Sequence, residues 1–196
     1  MNDIFIISYT CKRLGDYFYL CNIDLQDFIK TLENKIQIHC SHQSCKNDLL
    51  HKSLSQYSEN YIVTIYAHGN NDKVVDELNN DLITLDDSKK FYKNSIVYST
   101  ACKTANNLGL SLVKEGGCKL FFGYSDSSHI STLHKADFVE MDNFTLKLIL
   151  SENTTDKDYL KAKTEEFFQK KLHESRMQNP IIAPMIMNNK ECFQIY

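Results

Sequence analysis

The chain of 196 residues has no long apolar run, no excess of positive charge and only two prolines, and the first two of these shortages each exclude a class of protein. Its longest hydrophobic stretches are far too short to cross a bilayer, which takes about 20 apolar residues in a helix. A formal net charge of -3 supplies no broad positive field for nucleic acid. The N-terminus runs at once into strand-like Ile4-Phe5-Ile6-Ile7, without the basic flank, long apolar stretch and small-residue cleavage site of a signal peptide, so a cytoplasmic location is expected. Seven cysteines at irregular spacings then imply reduced thiols rather than a disulfide framework. Several of them, Cys118 among them, read as small core residues. No repeat, low-complexity tract or linker divides the sequence, and a single domain over 1–196 is expected.

What is present is an alternation. Apolar, β-rich runs at Ile4 to Tyr9, Lys35 to His39, Tyr61 to Ala67, Ser95 to Ala101 and Cys118 to Tyr124 are mostly separated by segments with helical spacing. That pattern predicts an α/β fold with a largely parallel sheet covered by helices. Helices are expected from Asp24 onward, after a Ser44 cap through Leu54, from Asn106 to Glu115 ahead of Gly116-Gly117, from Met141 to Leu150 and from Asp156 to Arg176. The stretch from Asn70 to Asn94 is mostly polar, with Asp81 to Leu85 as a short strand of a hairpin, and Ser125 to Asp137 is a second polar loop. Pro180 and Pro184 predict an extended segment before a last edge strand at Phe193-Gln-Ile195.

Two of the buried runs end in reactive side chains. Ile62 to Ala67 leads to His68-Gly69, and Ser95 to Ala101 leads to Cys102. Neighbouring parallel strands ending this way bring an imidazole and a thiol to one edge of the sheet, the arrangement of a cysteine nucleophile with its base. A helix starting just after Cys102 would stabilise the thiolate through its free N–H groups, with Lys103 adding positive charge. Gly69 lets a backbone N–H approach a substrate oxygen, as an oxyanion hole requires.

Strand-His68-Gly69 followed by strand-Ala101-Cys102 resembles the caspase-like (clan CD) cysteine peptidases, which include caspases, metacaspases, gingipains, separase and bacterial CHAT domains. Ala105 to Tyr124 is similar to the CHAT pattern of helix, glycine, apolar strand and Gly-Tyr. The resemblance covers roughly residues 60 to 130 and extends more weakly to both ends. It implies a caspase-like three-layer sandwich with a mostly parallel central sheet of about six strands flanked by helices. It also implies an endopeptidase in which Cys102 attacks the scissile carbonyl, His68 is the general acid and base, and the N–H groups of Gly69 and Cys102 hold the oxyanion. No cofactor is implied. The partners are a protein or peptide substrate and an activating protein, since small members of this kind are often triggered proteases of bacterial signalling or defence. The same fold also occurs as an inactive adaptor, which is the rival reading.

The cleavage-site preference divides the charged residues around the site. Thr100 stands where metacaspase-type enzymes carry a pocket acid, so Asp126 is the leading candidate to receive a basic side chain and Asp16 the second. Arg13, in Arg13-Leu-Gly15-Asp16, resembles instead the caspase segment whose arginine selects an acidic residue. A basic cleavage-site residue is the expectation. Outside the site, His39, Cys40, His42 and Cys45 form a compact cluster that offers zinc up to four ligands, and a zinc-stabilised interaction module built on it is the third reading; it lacks the paired Cys-x-x-Cys spacing of structural zinc sites, and no metal is assigned. His129 and His134 fall in the polar loop after Asp126. The Lys-rich segment 161–171 also carries Glu165 and Glu166, which makes it a solvated mixed face.

Overall fold

β-branched and aromatic residues dominate each strand that the sequence places at the centre, because such side chains pack well on a pleated surface buried on both faces. A computed structural model describes residues 3–9, 11–42, 47–57 and 60–196, and all their side chains except those of 40–42 and 47–49. The elements are β1 (Asp3–Ser8), α1 (Tyr17–Thr31), β2 (Gln37–His42), α2 (Asn47–Leu54), β3 (Tyr61–Tyr66), β4 (His68–Gly69), β5 (Lys73–Val75) and β6 (Asp81–Thr84). They continue as α3 (Leu85–Phe91), β7 (Ile96–Ser99), α4 (Asn107–Lys114), β8 (Leu120–Tyr124), α5 (Lys135–Glu152), α6 (Lys157–Gln178), α7 (Ala183–Cys192) and β9 (Phe193–Ile195).

Six strands form one sheet in the order β2-β1-β3-β7-β8-β9. All neighbours are parallel except β9, which closes the edge antiparallel to β8 with Phe122 opposite Ile195. Alternation along the strands sorts the core into two halves. Ile4, Ile6, Ile62, Tyr66 and Phe122 pack with residues of α1, α5, α6 and α7, whereas Phe5, Ile7, Val63, Ile65 and Phe121 pack with α2 and α4. Helices therefore cover both faces, consistent with a three-layer sandwich. No helix among the described residues is long and apolar enough to cross a membrane.

A polar network fastens α1 and α5 to the sheet. The Tyr17 and Tyr124 hydroxyls donate to the two oxygens of Asp142 at 2.7 and 2.5 Å, and Tyr66 donates to Asn143 at 2.5 Å. Asn143 in turn donates to the Cys21 carbonyl at 2.8 Å and to Asp24 at 2.6 Å. Burial pushes the Asp142 carboxyl up to about 6, against the opposing pull of its two tyrosine hydrogen bonds.

Three expectations need correction. The polar stretch 70–94 holds more than the hairpin strand expected at Asp81 to Leu85: that strand is β6, but β4 and β5 join it in a three-stranded antiparallel sheet, and α3 follows directly. The start of α3 is a capping box, with Asp87 Oδ2 accepting from both the backbone N–H and the hydroxyl of Thr84 at 2.9 and 2.8 Å. The segment after Pro184 is helical rather than extended, because proline in a first helical turn gives up an N–H that has no intrahelical partner there. α5 begins at Lys135, six residues before the apolar repeat that announces it at Met141. The expected Ser44 cap lies outside the described residues.

Candidate active site

β3 and β7 are adjacent and in parallel register from Ile62 opposite Ile96 to Ile65 opposite Ser99, so His68 and Cys102 leave the same end of neighbouring strands. Pairing continues one step beyond the strand, where Thr100 N–H donates to the Ile65 carbonyl at 3.0 Å. Gly69 then packs against the turn that carries Cys102. A Cβ on Gly69 would lie 2.7 Å from Thr104 Cγ2, 2.8 Å from Ala101 Cβ and 3.1 Å from the Cys102 carbonyl oxygen. Only a residue without a side chain lets the two backbones approach this closely.

The Gly69 N–H is oriented by its hairpin. Asn70 N–H donates to the Lys73 carbonyl at 3.0 Å, and the next pair in register is Gly69 with Val74. Hydrogen-bonded and non-bonded pairs alternate in an antiparallel ladder, so the Gly69 N–H points away from β5.

Cys102 is followed by a left-handed residue, Lys103 with φ of 63°, an uncommon conformation for a side chain other than glycine or asparagine. The turn is held by bonds from Lys103 N–H to the Asp126 carbonyl at 3.2 Å, Ala105 N–H to the Tyr124 carbonyl at 3.1 Å and Thr104 Oγ1 to the Ala101 carbonyl at 2.8 Å. The helix expected immediately after Cys102 starts only at Asn107. The N–H groups of Leu108, Gly109 and Leu110 are bonded to the carbonyls of Asn71, Thr104 and Asn106, so the α4 terminus does not offer those donors to the thiol.

His68 and Cys102 are each partly exposed, and no hydrogen bond among the described residues joins them. The His68 Nε2 atom is instead 3.1 Å from the sulfur of Cys11, and the edge of Phe18 meets the ring at a centroid distance of 5.4 Å. The Cys102 sulfur lies 3.5 Å from the Ser128 hydroxyl. Burial first, and then the Arg13 guanidinium, hold the His68 imidazole below its ordinary value, while Glu77 pulls it the other way. An imidazole so placed keeps its neutral form, with a free lone pair, to lower pH.

Of the specificity candidates, Asp126 belongs to the Cys102 neighbourhood through its carbonyl, and its side chain lies 3.8 Å from Lys103 Nζ. Asp16 is paired with Lys135, which holds its carboxyl below the usual range. Arg13 is exposed and makes no ion pair among the described residues, although it is close enough to act on His68. The loop after β8 is strapped to the C-terminal helix. Asn189 accepts from His129 N–H at 2.7 Å and donates to its carbonyl at 2.8 Å, Asn188 donates to the Ser127 carbonyl at 2.8 Å, and Ser125 N–H donates to the Cys192 carbonyl at 2.7 Å. His134 is bonded to Asn179.

In the histidine and cysteine cluster near β2, His39 is stacked on Phe5 at 4.8 Å and bonded through Nε2 to Asp3 and the Tyr57 hydroxyl, each at 3.0 Å. Cys45 and the side chains of Cys40 and His42 lie outside the described residues. Cys11, Glu77 and Ser128 are the neighbours of the pair that sequence reasoning missed. Cys11 sits just beyond β1 as His68 sits just beyond β3, but that parallel carries meaning only once β1 and β3 are known to be adjacent. Neither a family model nor a curated protein matches the chain.

Proposed function

We propose that the chain is a caspase-like cysteine endopeptidase in which Cys102 is the nucleophile and His68 the general acid and base. The observation that carries this reading is the close packing of Gly69 on the Cys102 turn at the shared end of two parallel strands. The Cys102 sulfur attacks the scissile carbonyl after its proton passes to His68, and the N–H groups of Gly69 and Cys102 receive the oxyanion. His68 then protonates the leaving amine and activates water against the thioester. Deacylation returns the free thiol.

Cleavage after a basic residue remains the first specificity reading, with Asp126 as the pocket acid. One observation favours the second, cleavage after an acidic residue selected by Arg13. Both candidate acids face lysines, whereas Arg13 makes no ion pair among the described residues.

The deciding experiment measures hydrolysis of a positional-scanning peptide library by the wild-type chain and by Cys102→Ala and His68→Ala, with thermal melting of each. Loss of turnover in both folded variants supports the dyad. Undiminished turnover in either rejects it. A folded wild type that neither cleaves nor reacts with a peptidyl electrophile at Cys102 supports the adaptor reading instead.

A further inference from the structure

We propose that Cys11 is the residue that positions the His68 imidazole, holding its Nε2 atom so that Nδ1 is the nitrogen left for proton transfer. This deepens the peptidase reading and rests on it for its meaning in catalysis, but the geometry stands apart from any activity. The Cys11 sulfur is 3.1 Å from Nε2, and Cys11 is 2% exposed, so the contact is shielded from the Cys11 side. The ring also packs against Phe18, with centroids 5.4 Å apart and planes at 73°, which restricts its swing.

The segment carrying Cys11 is built to stay in place. Tyr9 N–H donates to the Tyr66 carbonyl at 3.1 Å, prolonging the β1–β3 pairing beyond both strands. Cys11 then bridges back to Gly15, whose φ of +64° turns the chain toward α1. Lys12 N–H donates to Glu77 at 2.9 Å, which ties this turn to the segment after β5. The sulfur is therefore fixed by backbone on both sides.

The tautomer follows from the direction of that bond. With its proton on Nε2, His68 donates to the Cys11 sulfur, and the lone pair on Nδ1 accepts the proton of the Cys102 thiol. The other tautomer has Cys11 donating to Nε2 and a proton already on Nδ1, and it cannot act as the base. When His68 becomes the imidazolium, the Nε2–H stays on Cys11 and the new proton sits on Nδ1. No proton passes through Cys11. It acts through His68 and is a positioning residue. Arg13, Glu77 and Cys11 are the charged or titratable groups that bear on the ring.

The test is nitrogen-15 spectroscopy of the histidine rings in the full chain, comparing wild type, Cys11→Ala and Cys11→Ser, with His68→Gln to assign the signal. The expected result is a His68 ring protonated on Nε2 in the wild type, a mixture of tautomers in Cys11→Ala, and recovery in Cys11→Ser, whose hydroxyl also accepts. A wild-type ring protonated on Nδ1, or an identical tautomer in Cys11→Ala, overturns the proposal. Turnover is read in parallel. Cys11→Ala should lower kcat by about tenfold with little change in KM, as removing a partner that orients an imidazole usually does. A tautomer that depends on Cys11 in a chain that cleaves no peptide would uphold the positioning and sink the peptidase reading.

Discussion

Gly69 lies so close to Cys102 that a methyl group on it would sit 3.1 Å from the Cys102 carbonyl oxygen and closer still to Thr104 and Ala101. Gly69→Ala should therefore displace the turn that carries Cys102, the proposed nucleophile, rather than the sheet beneath it. The expected outcome is a loss of peptide hydrolysis of about 100-fold, in line with misplacing reacting groups by about an ångström. Thermal melting should fall much less than in a core truncation, and unchanged turnover would separate Gly69 from the site.

In the proposed dyad, the charges around His68 would set the acid side of the activity profile. Burial and Arg13 lower the imidazole, so the neutral base should persist below the ordinary value of about 6.5. Arg13→Ala removes a repelling charge and should move the acid limb of kcat/KM to higher pH. Glu77→Ala removes an attracting one and should move it lower. Measuring both limbs against wild type checks the signs.

Specificity can be read by charge exchange at two positions. If Asp126 receives a basic side chain, Lys103→Gln frees its carboxylate and should improve cleavage after Arg or Lys, while Asp126→Asn should impair it. If Arg13 selects an acidic residue, Arg13→Gln should abolish cleavage after Asp or Glu and leave the Asp126 variant active. A library profile of the three proteins distinguishes the two.

Asn189, almost fully buried, supports the loop beside Cys102 through two bonds to the backbone of His129. Truncating it to alanine removes both bonds and should cost about 1–2 kcal/mol. Hydrogen exchange of residues 125–129 should quicken in this variant, and exchange as slow as in wild type would show that the strap does not hold the loop.

Asp142 links stability to pH. Its folded pKa of about 6 lies above the unfolded value, so the folded state binds its proton more tightly, and the contribution of Asp142 to stability is fully present below about pH 4. Stability should fall as pH rises from about 4 to 6 and level off beyond, by an amount on the order of 3 kcal/mol. Asp142→Asn should flatten this decline, and urea titrations at pH 4.5 and 7 test it. An equal decline in the variant would locate the linked group elsewhere.

The sequence by itself determined which segments form the central parallel strands and which pair of side chains follows two of them. Central parallel strands carry unbroken β-branched and aromatic runs, as Ile62 to Tyr66 does, and these are legible because both faces are buried. Marginal elements were less legible. α3 depends on the Thr84–Asp87 capping box within a polar run, and α7 on a proline that reads equally as a breaker or as a first-turn residue.

Only the tertiary structure decided what surrounds the pair. Strand order places β1 next to β3 and so brings Cys11 to His68, although 57 positions separate them. It also brings Asp126 and Ser128 from beyond β8 to the Cys102 turn, and it occupies the α4 donors that sequence alone leaves free. The reason is physical: strand propensity and burial are local properties of a few residues, whereas the partner of a given imidazole or thiol is fixed by which strands lie side by side.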